Sequence, residues 1–184
     1  MGAIRHPPKA KFIAAVMVNA AELLVEVKRI LQTSFGPIDL ESDVYPFTFT
    51  DYYASEMGTE LRKQILSFDG LLDASELAMR KLRSNEIEAQ FAIRRIEGLR
   101  RRVNIDPGYV TDSKLVLAST KNFSHRVYIG HGIFAEVTLR YFRKSGFESL
   151  EWTYPDYRTD LVKEFLESVR QCYMDQVRGG SWPS

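Results

Sequence analysis

The segment KFIAAVMV, Lys11–Val18, decides how the rest of the chain must be arranged. After its lysine it contains only apolar residues, without the alternation that marks a strand with one face in water. A continuous apolar run of strand length is typical of a strand buried on both faces. We therefore expect Lys11–Val18 to be a central strand of a sheet.

The residues that follow predict a helix. Asn19 offers an N-cap, and Leu23, Leu24, Val27, Ile30 and Leu31 recur at helical spacing. Gly36 followed by Pro37 is typical of a helix end.

Two further strands and a second helix are expected next. The segment 44–50 is rich in β-branched and aromatic residues, and its Pro46 favours an edge position or a bulge. Another strand is predicted at roughly 61–68. Asp73 and Glu76 have capping-box spacing, which predicts a helix from there to about residue 95.

The central stretch LRRRVNIDPGYV predicts a short strand that ends in a turn. In DPGY, Asp106–Tyr109, the proline and glycine occupy the positions that a type II turn requires. The next segment, 113–120, fits a strand or a short helix, and cap signals at Thr111 or Asp112 favour the helix.

The strongest β pattern is HRVYIGHGIFAEVTLRYF, with Gly130-His131-Gly132 as a tight hairpin tip. The segment FESLEW completes an antiparallel meander. The chain then predicts an amphipathic C-terminal helix, with Leu161, Phe165, Val169 and Tyr173 spaced by four.

This element order predicts a single α+β domain over residues 11–177. Its core is expected to be a ferredoxin-like βαββαβ unit, extended by the meander and the C-terminal helix. Residues 1–10 are expected to form a mobile lead-in, and 178–184 a frayed tail.

Composition narrows the classes of function. The 184 residues carry a net charge of +1, so the whole molecule offers no basic footprint for nucleic acid or an anionic membrane. One cysteine excludes an internal disulfide, and neither a signal-peptide core nor a membrane-length apolar run is present. A cytoplasmic protein is expected. Walker, GxGxxG, HExxH, GxSxG and CxxC motifs are absent.

The first candidate site is the DPGY stretch. A strand ending there would deliver Asn104, Asp106 and Tyr109 to one edge of the sheet. The start of a helix near Ser113 would then bind an anion, with Lys114 as a counter-charge. Asp106 would act as a base or as a ligand to a divalent metal. The alternative is that Asp106 only stabilises its own turn.

Two further polar clusters are candidates. Asp51, Tyr52, Tyr53 and Glu56 follow a predicted strand and suit the rim of a ligand site, although such tyrosines can equally seal a core. On the hairpin, Glu136 and Arg140 share a predicted face with Thr138, and His125 or Tyr128 would approach from the paired strand. That face is either a solvent face or the lining of a pocket, in which Glu136 would serve as an acid or base.

Several stretches together resemble an uncharacterised prokaryotic family, the domain of unknown function DUF4416. They are FGPIDLES, YPFTFTDYYASEMG, RRVNIDPGYVTDSKLVLASTKNFSHRVYIGHGIFAEVTLRY and WTYPDYR. Members are sometimes labelled GTP-binding proteins, but neither a Walker loop nor an NKxD motif is present here. The resemblance implies no catalytic residues, and it favours the polar loops over the apolar helix faces as the site.

The leading hypothesis is therefore a protein that binds a small anionic ligand, a nucleotide or a phosphorylated metabolite, with a divalent metal as an option. Whether it is an enzyme stays open, and a homo-oligomer is compatible with the sequence. The alternative is a non-catalytic protein-interaction or RNA-binding module that uses the five arginines of the basic run Arg94–Arg102.

Overall fold

The computed structural model describes residues 2–3, 7–50, 53–95 and 98–179. Its helices are α1 (Leu23–Phe35), the short α2 (Ala54–Met57), α3 (Leu77–Gln90) and α4 (Asp160–Gly179). Its strands are β1 (Lys11–Val18), β2 (Ile38–Glu41), β3 (Tyr45–Pro46), β4 (Arg62–Phe68), β5 (Ile93–Arg95), β6 (Gly98–Arg100), β7 (Val103–Val110), β8 (Lys114–Ser119), β9 (Val127–Gly130), β10 (Ile133–Phe142) and β11 (Gly146–Ser149). The fold is therefore mixed α and β, as the sequence predicted.

Nine of these strands form one antiparallel sheet, in which seven follow the order β11-β10-β8-β7-β1-β4-β2. Strand β3 also pairs with β4, β9 also pairs with β10, and β5 and β6 form a separate hairpin. Strand β1 lies between β7 and β4, and all eight of its residues are buried. The prediction of a central, doubly buried strand is confirmed.

The two faces of β1 contribute to two different cores. Phe12, Ala14, Val16 and Val18 pack with the buried sides of α1 and α3. Ile13 and Ala15 face the opposite way and pack with α4. The sheet is thus a middle layer between α1 and α3 on one face and α4 on the other, which explains why β1 contains no solvent-facing position.

Three helix details differ from the predictions, the first being that α3 ends at Gln90 and not near residue 95. The side chain of Asn19 donates a hydrogen bond to the carbonyl oxygen of Met57 (3.1 Å), and α1 begins only at Leu23, so Asn19 is not its N-cap. In α4 the buried residues are Val162, Leu166, Val169 and Tyr173, whereas Leu161 is 40% exposed. The buried stripe of α4 follows the average helical repeat of 3.6 residues better than a strict spacing of four.

The predicted DPGY turn is wrong, because Asp106–Tyr109 lies in the middle of the extended strand β7. Strand β7 pairs with β1 continuously from Val103 to Val110, so the chain does not reverse there. Continuous pairing with β1, joined by pairing with β8 from Gly108 onward, outweighs the local turn preference of Pro-Gly.

The favoured helix at 113–120 is also wrong, because Lys114–Ser119 forms strand β8 between β7 and β10. Leu115 and Leu117 face the α4 side of the sheet, and Val116 and Ala118 face the other. A short apolar run fits either structure locally, and here the two neighbouring strands decide. No helix N-terminus is therefore present at Ser113 to bind an anion.

A β-bulge in β10 changes the predicted faces of the hairpin. The pairing of β10 with β8 shifts between Val137 and Leu139, so Glu136 and Leu139 belong to the same face. Side chains alternate on both sides of the bulge, but the odd-numbered residues change face there: Ala135 and Val137 pack on the α1 and α3 face, and Leu139 and Tyr141 on the α4 face. In the described part of the chain, no helix is both long and apolar enough to cross a bilayer.

Candidate functional site

A cavity of about 740 Å³ opens on the α4 side of the sheet, beyond the part that α4 itself covers. It is bounded by the sheet, by α3, by the segment after β3 and by the 3-10 turn at Pro155–Arg158. Its charged lining residues are Lys63, Lys81, Glu88, Arg101, Asp106, Lys121, Arg126, Glu136 and Asp156. Its aromatic lining residues are Phe47, Phe49, Tyr53, Phe123, Tyr154 and Tyr157.

The cavity exists because β7 and β8 part from each other. They pair only at Gly108–Val110, whereas β8 continues beside β10 as far as Ser119. Beyond this junction, the edge of β7 faces α3 instead of a strand. The main-chain nitrogen of Ile105 donates to Glu88 Oε1 (2.7 Å), and the carbonyl oxygen of Ile105 accepts from Lys81 Nζ (2.7 Å). Two helix side chains thus replace the missing strand.

Pro107 and Gly108 mark the point where the strands part. In an antiparallel ladder, residues two apart direct their main-chain groups to the same neighbour, so Pro107 points away from β1, as Ile105 does. Pro107 has no N–H to offer β8, and its pairing with β1 is unaffected. At Gly108 a side-chain Cβ would collide with the carbonyl oxygen of Val116 and lie 2.5 Å from Leu117 Cδ2. Only glycine allows β8 to approach this closely.

Asp106 points from β7 into the cavity, and its side chain is 31% exposed. One carboxylate oxygen accepts from Lys81 Nζ (3.1 Å), and the other accepts from the Asn104 amide (2.7 Å). Burial alone would raise the pKa of Asp106, but the charges of Lys81 and Lys63 and these hydrogen bonds outweigh burial and lower it. Asp106 is therefore held in its ionised form.

Glu88 and Arg101 extend this cluster across the gap. Arg101 donates to Glu88 Oε2 (3.1 Å), to Glu56 Oε2 (3.3 Å) and to the side-chain oxygen of Asn104. The pKa of Glu88 is raised, because burial outweighs the opposing effects of Lys81, the Ile105 N–H and Arg101. The side chain of Glu88 is 11% exposed, whereas that of Arg101 is 32% exposed.

A second cluster surrounds Glu136 on β10. Its Oε2 accepts from Arg126 Nε (2.7 Å) and lies 2.8 Å from His125 Nε2. Arg126 also donates to Ser119 Oγ (2.8 Å) and to the Tyr154 hydroxyl (2.9 Å). With both the carboxylate and the guanidinium almost fully buried, this is a fixed ion pair in the cavity wall.

A third cluster contains Lys63 and the segment after β11. Lys63 Nζ lies 2.5 Å from Asp156 Oδ2, and the Tyr45 hydroxyl donates to the same oxygen (3.2 Å). The Tyr157 ring lies 4.7 Å from Lys63 Nζ. In contrast to these groups, the buried Tyr157 hydroxyl has no hydrogen-bond partner among the described residues. Leaving a buried hydroxyl unpaired costs free energy. This unpaired hydroxyl belongs to a residue that lines the cavity.

The structure brings part of the predicted site together. Asn104, Asp106, Tyr53 and Glu136 line this cavity together, although they belong to three different predicted clusters. Glu56 and His125 contact this lining through Arg101 and Glu136. Asp51 and Tyr52 lie outside the described residues.

Four other predicted residues lie elsewhere. Tyr109 packs against Phe12 on the face covered by α1 and α3, with the ring centroids 5.9 Å apart. Lys114 and Arg140 are paired residues of β8 and β10. Tyr128 is 60% exposed on β9. None of these four is a lining residue of the cavity.

Sequence reasoning missed Lys63, Lys81, Glu88, Arg126 and the Asp156-Tyr157 pair. A signal was present in α3. Lys81, Ser84 and Glu88 follow buried Leu77 at successive turns and therefore lie on the same side of the helix. A polar stripe on the buried side of a helix is unusual and indicates internal partners. In the described ranges, no group of three or more His, Cys, Asp or Glu residues is arranged to hold a metal ion.

Comparison with known proteins gives one match. The model of the family described as Domain of unknown function (DUF4416) matches residues 8–173. Neither the curated proteins nor the solved structures contain a match to the chain.

Proposed function

Because the chain belongs to the DUF4416 family, whose description gives no activity, we propose its function from the cavity geometry: it binds a small anionic ligand, such as a nucleotide or a phosphorylated metabolite. The observation that carries this proposal is the meeting of polar groups from β7, α3 and β10 at one cavity. Its volume of about 740 Å³ lies within the range usual for small-molecule sites.

Arg101 is the cation best placed for the anionic group. Lys63, Lys81 and Arg126 are nearly buried and engaged by Asp156, Asp106 and Glu136 respectively. Arg101 is 32% exposed and makes three hydrogen bonds to described residues, whereas a guanidinium carries five N–H groups. Its planar fork matches the oxygens of a phosphate or a carboxylate.

The remaining lining supports an organic ligand body. Phe47, Tyr53, Phe123 and Tyr154 contribute aromatic surface, which packs favourably against rings and apolar groups. The acid–base roles predicted for Asp106 and Glu136 stay hypotheses. The lowered pKa of Asp106 favours a permanently charged acceptor over a base that exchanges protons near neutral pH.

A thermal-shift screen of nucleotides, phosphorylated metabolites and divalent ions tests the proposal. A ligand at 100 times its dissociation constant adds about 2.7 kcal/mol of stability, which is readily measured. Arg101→Ala is expected to reduce the shift, and Arg143→Ala, an exposed arginine in the turn after β10, is the matched control.

A cavity-blocking variant locates the ligand. Asn85 is half-buried on α3 and lines the cavity, so Asn85→Trp would fill space there. If a ligand stabilises Asn85→Trp as much as the wild type, it binds elsewhere and the cavity proposal fails.

The RNA- or protein-binding module stays a second proposal. Arg94 on β5 and Arg100 on β6 are exposed on the same hairpin, where they are available to a phosphate backbone. Salt-sensitive RNA binding that is lost in Arg94→Ala/Arg100→Ala would support it. Binding that responds to neither salt nor these changes would dispose of it.

We also propose that β1, α1, β2, β4, α3 and β7 correspond to a ferredoxin-like core. The support is their order in the sheet, β7-β1-β4-β2, together with the packing of both helices on one face. In this assignment the second strand is β2, which follows α1 closely, and not the predicted 44–50 segment.

A further inference from the structure

The charged groups at this end of the cavity are already paired with one another. Lys81 lies between Asp106 (3.1 Å) and Glu88 (3.6 Å), and Arg101 also contacts Glu88 (3.1 Å). Arg126 and Lys63 are paired with Glu136 and Asp156. A charged ligand group placed among them would break one of these pairs or remain without a counter-charge. Both alternatives are costly in a buried site.

Two groups there retain capacity for a neutral partner. A carboxylate offers about four acceptor positions, and among the described residues Lys81 and Asn104 donate to Asp106. Its side chain is 31% exposed, so a ligand reaches it from the cavity. The Tyr157 hydroxyl is unpartnered among the described residues, and Tyr157 also lines the cavity.

The electrostatic environment fixes the role of each group. Burial, followed by the charge of Asp156, the Tyr45 phenol and the charges of Asp106 and Glu136, raises the pKa of Tyr157 well above its ordinary value. Tyr157 therefore keeps its proton and is available as a donor. Asp106 is held ionised by Lys81 and Lys63 despite its burial, so it acts only as an acceptor.

We propose that this end of the cavity recognises an uncharged group that carries an N–H donor beside a C=O acceptor, as a primary amide or a lactam does. The N–H donates to Asp106, and the carbonyl accepts from Tyr157. The inference rests on the proposed function, because it describes the buried end of the same ligand whose anionic group would lie at Arg101.

Three compounds with the same ring separate the possibilities. Benzamide, benzoate and benzylamine carry a neutral, an anionic and a cationic head group at neutral pH. Their binding is measured by ligand-observed NMR titration of the wild type, Tyr157→Phe, Asp106→Asn and Asn85→Trp. Tyr128→Phe is the matched control, because Tyr128 is an exposed tyrosine that does not line the cavity.

Benzamide is expected to bind at least about tenfold more tightly than the two charged compounds. Tyr157→Phe and Asp106→Asn are each expected to weaken it roughly three- to tenfold, as for the loss of one hydrogen bond, and Tyr128→Phe to leave it unchanged. Tyr157→Phe removes a single oxygen and keeps the ring, so the result does not depend on the tolerance of the fold for Asp106→Asn.

The contrary outcomes are distinct. Benzoate or benzylamine binding as tightly as benzamide, or benzamide binding that ignores Tyr157→Phe, overturns the inference. If none of the three binds while an anionic ligand still stabilises the protein through Arg101, the inference fails and the proposed function stands. If benzamide binds Asn85→Trp as well as the wild type, the cavity is not its site and the inference fails with it.

Discussion

The ammonium nitrogen of Lys81 lies 2.7 Å from the carbonyl oxygen of Ile105, in the position where a neighbouring strand would supply a backbone N–H. The same nitrogen lies 3.1 Å from Asp106 Oδ1. One side chain of α3 therefore stabilises both the open edge of β7 and the carboxylate that faces the cavity.

Lys81→Met is expected to destabilise the protein strongly. It leaves Asp106 and Glu88 without their shared cation and the Ile105 carbonyl without its donor, and loss of one partner of a buried pair typically costs about 3–5 kcal/mol. Denaturant unfolding measures the change. Lys28→Met, which removes the more exposed pair with Glu41, is the control and should cost less than about 1 kcal/mol. A loss below that limit in Lys81→Met would contradict the bridging role.

Asp106 and Glu88 are expected to give opposite pH dependences of stability. The lowered pKa of Asp106 means that its ionised form stabilises the fold above its unfolded pKa of about 3.9, and that this contribution is lost as pH falls through the folded value. The difference in unfolding free energy between the wild type and Asp106→Asn should therefore shrink below about pH 4.

For Glu88 the sign reverses, because its folded pKa is raised. The protonated form is favoured in the fold, so stability is gained as pH falls through the raised pKa and the ionised group is a cost above it. Glu88→Gln keeps an oxygen acceptor for the Ile105 N–H and should remove this dependence. Unfolding measured between about pH 3 and 7 checks both residues, and parallel slopes in the two variants would be inconsistent with the prediction.

Gly108→Ala is expected to disturb the junction of β7 and β8. The added Cβ meets a carbonyl oxygen of β8 and Leu117 Cδ2, so the strands must separate, at a cost of about 1–3 kcal/mol or more. Gly179→Ala, with open space at the Cβ position near the end of α4, is the control and should be close to neutral. Equal melting temperatures for Gly108→Ala and the wild type would show that the close approach is not required.

Tyr157→Phe is expected to leave the ligand-free protein as stable as the wild type or more stable, by up to about 2 kcal/mol. The reason is that it removes a buried hydroxyl without a described partner and keeps the ring against Lys63. Thermal unfolding without ligand is the measurement. A clear loss of stability would indicate that the hydroxyl is already satisfied.

Much of the fold was predictable because its signals are local and agree with the tertiary context. The apolar run of β1, the Gly36 end of α1 and the hairpin at Gly130–Gly132 each combine a propensity with a pattern that tertiary packing reinforces. The two errors in the centre, the turn at Asp106–Tyr109 and the helix at 113–120, have a different origin. Pairing with distant strands decides both: Lys114–Ser119 lies between two strands, and Asp106–Tyr109 pairs with β1 throughout but with β8 only from Gly108 onward.

The candidate site was predictable only in part. Asp106, expected in a turn, and Glu136, expected on a hairpin, were chosen as candidate acids, and both line the cavity. Their partners were missed: Lys81 lies 25 residues from Asp106, on α3, and Arg126 lies 10 residues from Glu136, before β9. Their meeting depends on where β7 and β8 separate, and the Pro107-Gly108 pair that marks this point fits a turn equally well in the sequence.

The same gap makes the wall of the cavity adjustable by point substitution. A backbone strand beside β7 would hold its neighbour at a fixed spacing whatever its side chains, because every residue supplies the same N–H and C=O groups. Here the groups that complete the edge at Ile105 belong to Lys81 and Glu88, whose length, charge and reach can be changed one residue at a time. The cavity wall beside Ile105 is therefore formed by two side chains of a helix and not by the backbone of a strand.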